Sequence, residues 1–277
     1  MFPFLCPLCG EALQGVPGGL RCPGGHRFDR AREGYVHLLP VGQKHSKAPG
    51  DDKGMVAARR AFLDRGWYSP LRDALCDLAV RYAPGPAPAV LDAGCGEGFY
   101  TAAVRDALLA DGRSPAAAGI DISKFSVQKA AKRYSGISFA VASAYRLPVA
   151  AESVDLLLNV FSPLAIDEFR RVLRPGGAYL YVVPAARHLW QLKEVLYDRP
   201  YPNEERETPY EGFAYQEILP VSFTVHLPAQ ADIRALFQMT PYYWKTPRQG
   251  AARLAALETL ACEMAFHIHV FRREAAP

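Results

Sequence analysis

The chain has 277 residues, half of them hydrophobic and 22% charged, with a formal net charge of +4. This balance excludes a disordered or collagen-like chain, and no apolar run reaches the roughly 18–20 residues needed to span a bilayer. The surplus positive charge sits in residues 1–88, which hold twelve Lys/Arg against eight Asp/Glu; such a basic segment is compatible with a polyanionic partner. The N-terminus has no basic stretch followed by a long apolar one, so a cytoplasmic protein without a leader is expected.

Three of the six cysteines crowd the first 22 residues, which is unlike the even spacing of a secreted disulfide framework. Cys6-Pro7-Leu8-Cys9 is followed after twelve residues by Cys22-Pro23-Gly24-Gly25-His26. The short Cys-x2-Cys loop brings two thiolates to one ion, and Cys22 with His26 completes a tetrahedral set of the kind zinc prefers. A full ligand set predicts a structural zinc. Its binding supplies folding free energy that so small a segment cannot draw from a core of its own.

Residues 44–52 are polar and turn-rich and read as a linker or mobile loop. Apolar spacing then predicts one helix around Ala57–Leu63 and a second around Leu71–Ala79, broken between Gly66 and Pro70 and closed by Pro84-Gly85-Pro86-Ala87-Pro88. From Ala89 onward strands and helices alternate. Strands are predicted at 89–93, 117–122, 137–142, 153–160 and 178–183. Helices are predicted at 98–109, 124–134 and 164–173, the last followed by the turn Arg174-Pro175-Gly176-Gly177. Such alternation implies an α/β fold with a parallel, doubly wound sheet, whose ligands bind beyond the carboxyl ends of the strands.

The first strand runs into Asp92-Ala93-Gly94-Cys95-Gly96-Glu97-Gly98-Phe99-Tyr100. A dinucleotide fingerprint would need glycine at position 99, which is Phe99. The run of Gly94, Gly96 and Gly98 behind Asp92 instead resembles class I S-adenosylmethionine-dependent methyltransferases, which have a Rossmann-like sheet. Asp121, closing the next strand, then has a physical task, since a carboxylate can accept hydrogen bonds from both ribose hydroxyls.

The resemblance extends over nearly the whole chain. The zinc knuckle, Glu33-Gly34-Tyr35-Val36-His37-Leu38-Leu39, Pro49-Gly50-Asp51, Ala58–Leu63, Asp92–Tyr100, and Thr240-Pro241 with Trp244 are similar to the RlmA family of bacterial 23S ribosomal RNA (guanine-N1)-methyltransferases. The resemblance implies S-adenosylmethionine as methyl donor, a structural zinc, a guanine in a 23S rRNA hairpin loop as acceptor, and a homodimer whose zinc domains help build an RNA cleft. It also implies cofactor contacts from Tyr68, from Gly98, Phe99, Tyr100 and Thr101, and from His188. The glycine turn and the Thr240–Trp244 segment lean towards the Gram-negative-type subgroup. The expected partition is a zinc-binding, RNA-recognition domain at 1–39, a linker and helical segment at 40–88, and the methyltransferase domain at 89–277.

For the chemistry, the turn Asn159–Pro163 at the end of the fourth strand is the expected acceptor pocket, with Asn159 and the backbone around Ser162 reading the base edge. Glu211 is the expected general base, Asp155 a structural acid, and the Tyr197–Tyr215 stretch a lid. Arg27, Arg30, Arg32, Lys44, Lys47, Arg59 and Arg60 form the expected phosphate footprint. Two other readings compete: a small-molecule methyltransferase on the same fold, and an inactive RNA-binding module. Replacing Cys9 by Ala is expected to unfold the knuckle and weaken RNA binding while leaving donor binding in the larger domain largely intact.

Overall fold

The computed structural model describes residues 2–40, 42, 50–205 and 209–275. Lys44, Lys47 and Pro49 lie outside the described residues. Near the N-terminus, β1 (Gln14–Val16), β2 (Gly19–Arg21) and β3 (Arg27–Asp29) form a small antiparallel sheet in the order β1-β2-β3. Gly19 permits the β2–β3 approach, because a Cβ there would stand 2.3 Å from the Phe28 carbonyl oxygen.

Six residues after β3, the same segment joins the main body. Strand β4 (Val36–His37) pairs in parallel with β7 (Ser138–Val141) and forms one edge of an eight-stranded sheet. The other strands are β5 (Ala89–Ala93), β6 (Ala116–Asp121), β8 (Val154–Val160), β9 (Leu173–Pro184), β10 (Phe213–Leu227) and β11 (Leu260–Arg273). Their order is β10-β11-β9-β8-β5-β6-β7-β4. Neighbours from β4 to β9 run parallel, and β11 lies antiparallel between β9 and β10. The strand order reverses direction between β5 and β8, which creates the crevice where ligands bind in such sheets.

The sheet is covered on both faces, so its central strands read as continuous apolar runs. Along β8, Leu156 and Leu158 enter one core with Val90, Leu180 and Val182. Leu157 enters the other with Leu91 and Tyr179. The helices are α1 (Lys53–Asp64), α2 (Ser69–Tyr82), α3 (Phe99–Ala110), α4 (Lys124–Arg133), α5 (Ile166–Val172), α6 (Trp190–Leu196), α7 (Gln230–Gln238) and α8 (Arg248–Ala255). Asp52 starts α1 by accepting the Met55 N–H, and Pro70 sits in the first turn of α2.

Elements expected up to residue 183 are present, with ends displaced by a few residues. The Arg174–Gly177 turn is taken up within β9 as a bulged loop in the β8–β9 ladder: Val154 faces Leu173, then Leu156 faces Ala178. Asp155 is buried there, accepting from the Ala89 N–H at 2.8 Å and from Arg174 at 2.7 and 2.8 Å. It ties the lower ends of β5 and β8 to that loop. Among the described residues, no helix is long and apolar enough to cross a membrane.

Candidate functional site: a cysteine–histidine cluster and a cofactor crevice

The ligand atoms of Cys6, Cys9, Cys22 and His26 all lie within 4.8 Å of one another. His26 Nδ1 stands 3.6 Å from Cys6 Sγ and 3.4 Å from Cys22 Sγ, and Cys9 Sγ stands 3.6 Å from Cys22 Sγ. A tetrahedral zinc with ordinary bond lengths would give edges of about 3.5–3.8 Å. The donor set and its spacing therefore fit zinc. The cluster is anchored to the main body: the Leu5 N–H donates to the Pro148 carbonyl, and Phe2, Phe4, Leu20 and Val36 share a core with Leu91 and Val149.

At the crevice, the N–H groups of Gly94 and Cys95 both donate to the Ile120 carbonyl, folding the β5–α3 turn onto the end of β6. Gly94, Gly96 and Gly98 all have positive φ, at +94°, +54° and +77°. Gly94 is further constrained by Ser162 across the crevice, because a Cβ at 94 would lie 2.2 Å from the Ser162 Cβ. Ser162 Oγ donates to the Ala93 carbonyl at 2.5 Å, fastening the β8 turn to the β5 turn.

Asp92 is buried. Its Oδ2 accepts from Thr101 Oγ1 at 2.5 Å, while Oδ1 has no partner. Burial lifts its pKa to about 7, against the Thr101 bond, with the Asp121 charge adding to the rise. Asp121 accepts the Ser123 N–H at 2.7 Å on one oxygen and the Gly96 N–H at 2.9 Å on the other. Burial raises its pKa, and these two N–H donors oppose the rise. Each carboxylate oxygen retains acceptor capacity. A glycine-rich turn, one orphaned buried carboxylate oxygen and a second, backbone-fixed carboxylate fit an S-adenosylmethionine site.

The other expected residues divide. Tyr68 is buried at the start of α2, with its ring against Phe62 and Phe266. Phe99 and Tyr100 join the core shared by α2 and α3, so they offer the crevice main chain. His188 is buried, packs at a tilt with its ring 4.5 Å from that of Phe266, and accepts the Ala265 N–H on Nδ1 at 3.3 Å. Burial and the Lys193 charge lower its pKa to about 3, so it is neutral at ordinary pH. Asn159 is fully buried, donating Nδ2 to the Pro163 carbonyl at 3.0 Å and leaving Oδ1 without a partner. It shapes the turn from inside.

Glu211 requires a correction. Its neighbour Phe213 pairs with Arg273, at the lower end of the sheet where Arg272 faces Ala178. The Glu211 side chain is 94% exposed, and its carboxylate approaches Arg170 at 3.5 Å. Val221, beside Phe266 and Pro184, marks the crevice end of β10, and eight residues of strand separate the two by roughly 25 Å. Glu211 is therefore at the wrong end of the sheet to act as base. The expected lid divides likewise: Asn203 is bonded to Ala185 and Ala186 near the crevice end, whereas Tyr210–Gly212 lie at the other.

Two features escaped the sequence. The Gly50–Asp52 segment seats beside the Asp121 end of the crevice: Ser123 Oγ donates to the Asp51 carbonyl at 2.8 Å, and Arg59 pairs with the Asp51 carboxylate. The signal was the Pro49-Gly50-Asp51 turn, legible as a turn but not in its placement. Phe161, between Asn159 and Ser162, has a φ of +56° and an exposed ring. Of the expected phosphate contacts, Arg30 donates to the Gly34 carbonyl, while Arg27 and Arg60 pair with Asp29 and Asp64. Arg60 also lines a cleft of about 500 Å³ with Lys53, Lys129, Phe125 and Glu97.

Comparisons with known proteins agree with this geometry. A family model for the zinc ribbon of RlmA, its N-terminal part, matches residues 4–47, and a methyltransferase domain model matches residues 86–214. A Bacillus subtilis protein, YxjB, described provisionally as a 23S rRNA (guanine-N1)-methyltransferase, is 32% identical over 264 residues, covering 92% of each chain. A Streptomyces fradiae 23S rRNA (guanine(748)-N1)-methyltransferase is 40% identical over 193 residues, covering 69% of this chain and 66% of its own. Neither of these relatives supports the expected Gram-negative-type subgroup. Among solved structures, the YcgJ protein of Bacillus subtilis shares the fold, with a TM-score of 0.50 and 18% identity, over 73% of this chain and all of its own. The cysteine–histidine cluster, the crevice and a relative matched along almost the entire length lead to one assignment: the chain belongs to the RlmA family of 23S rRNA (guanine-N1)-methyltransferases.

Proposed function

We propose that this protein methylates N1 of a guanine in a hairpin loop of 23S rRNA, using S-adenosylmethionine. The observation that carries this reading is the buried, unpaired Asp92 oxygen beside the glycine turn and Asp121, in a chain that also holds the Cys6–Cys9–Cys22–His26 cluster. A small-molecule enzyme would need the first feature but not the second.

When bound, S-adenosylmethionine supplies an already activated methyl group. Asp92, Asp121 and the turn from Gly94 to Thr101 would hold it. The protein's remaining tasks are placement, which can supply a large share of the rate, and a path for the guanine N1 proton, which must leave as the N1–methyl bond forms. Asn159 and Ser162 set the shape of the acceptor turn, Asn159 through the Pro163 carbonyl and Ser162 through the Ala93 carbonyl. His188, held neutral, carries its proton on Nε2 because Nδ1 accepts from Ala265. Guanine N1 is hidden while paired, so the base must be looped out to react. Zinc on Cys6, Cys9, Cys22 and His26 would order the ribbon that presents RNA. The proposal includes the division at residues 39 and 88, a homodimer and a cytoplasmic location.

The test is transfer of labelled methyl to ribosomal RNA and to a small-metabolite pool, followed by mass-spectrometric mapping of the modified base. Label at guanine N1 of 23S rRNA supports the reading, and label confined to metabolites rejects it. Sedimentation of the purified protein tests the dimer.

A further inference from the structure

We infer that Phe161 is the stacking surface for the looped-out guanine; the inference rests on the function proposed above and names the side chain that receives the base. Phe161 follows β8 directly and precedes Ser162, which is fastened to the β5 turn. Its φ of +56° lies in the left-handed region, which a bulky side chain rarely adopts. Glycine or asparagine would fit this backbone better. Packing explains only part of the choice of phenylalanine, because the residue is 47% exposed.

Among the described residues two other non-glycine positions share positive φ, and each has a plainer explanation. Leu189 is buried in a core, and Glu152 is a polar residue in the turn before β8, at the far end of the strand. Phe161 alone combines strain, an exposed aromatic ring and a place at the crevice. One side of that ring is braced, with Phe266 at 5.4 Å and Tyr68 at 6.4 Å between centroids. The exposed part borders the expected acceptor pocket. A guanine taken out of its helix loses stacking on both faces, and an aromatic side chain restores one of them.

The test compares Phe161→Leu, Phe161→Tyr and Phe161→Gly with wild type. The substrate is the 23S rRNA hairpin whose methylated position has been mapped, alongside the same hairpin with an abasic nucleotide there. Leu keeps apolar bulk but has no π face, so kcat/KM should fall roughly ten- to hundredfold, while Tyr should stay within about threefold of wild type. Wild type should bind the guanine hairpin more tightly than the abasic one, and Phe161→Leu should lose that preference. S-adenosylhomocysteine affinity should be unchanged in all three. Phe161→Gly should melt no lower than wild type, because it relieves the backbone while losing activity. An undiminished guanine-over-abasic preference in Phe161→Leu, or its full activity, would overturn the inference alone. Failure of wild type to methylate any 23S rRNA guanine would remove the proposed function instead.

Discussion

Thr101 donates its hydroxyl to Asp92 at 2.5 Å, from the first turn of α3 back to the end of β5, and this bond leaves the second Asp92 oxygen buried and unpaired. The pair holds a carboxylate in place and keeps one oxygen free for a ligand. Thr101→Val keeps the shape and removes the donor. It should cost about 1–3 kcal/mol of stability, read by urea unfolding, and should weaken S-adenosylhomocysteine binding by calorimetry. Unchanged values on both measures would show that the bond does neither job.

Asp92 also sets a pH dependence. Burial raises its pKa to about 7 in the folded protein, whereas an unfolded aspartate titrates near 3.9. Between about pH 4 and 7 the native state holds a proton that the unfolded chain has lost, so this group's contribution to stability falls as pH rises through that window. Asp92→Asn removes the effect. At pH 8 the variant should be more stable than wild type by up to a few kcal/mol, with the gap closing towards pH 4. Donor binding should be lost at every pH. Melting curves across the range check this, and a gap independent of pH contradicts it.

Gly94→Ala meets two obstacles. The added methyl would lie 2.2 Å from the Ser162 Cβ, and the backbone has a φ of +94°. The conformation alone costs about 1–3 kcal/mol in a non-glycine residue, and the clash pushes the β5 and β8 turns apart. The variant should lose donor binding completely and melt well below wild type. Gly112→Ala, whose φ of +81° is similar but whose Cβ would meet nothing within 4 Å, separates the two causes: it should bind the donor normally.

Cys9→Ala should release zinc, measured by atomic absorption. The sequence led to the expectation that the larger domain would be spared. The shared core of Phe2, Phe4 and Leu20 with Leu91 and Val149 revises it: unfolding should remain one transition, shifted down by several degrees. Two separate transitions would show that the ribbon is energetically independent.

Much of the site was legible because its constraints are local. The glycine turn with Asp92, the strand-ending Asp121 and the cysteine–histidine spacing each lie within a few residues. What escaped depends on distant pairing. Two residues, Val36 and His37, are too few to declare a strand, yet β4 pairs with β7 a hundred residues later. Strand β10 carries Pro220, which a sheet tolerates at its edge, and that is where β10 lies. Glu211 was misplaced for a related reason: Tyr197–Tyr215 travels from one end of the sheet to the other, and a composition rich in Tyr, Pro and Glu does not reveal direction.

Strand β4 has a final consequence. A sheet margin with bare N–H and C=O groups recruits other chains, and β7 would have such a margin without its two-residue cover. Zinc held by residues 6–26 would help keep that cover in place, because Phe4 and Leu20 share a core with Val36 of β4. Chelation should accordingly turn a dispersed preparation turbid before catalysis is assayed, making metal starvation a problem of solubility as much as of recognition.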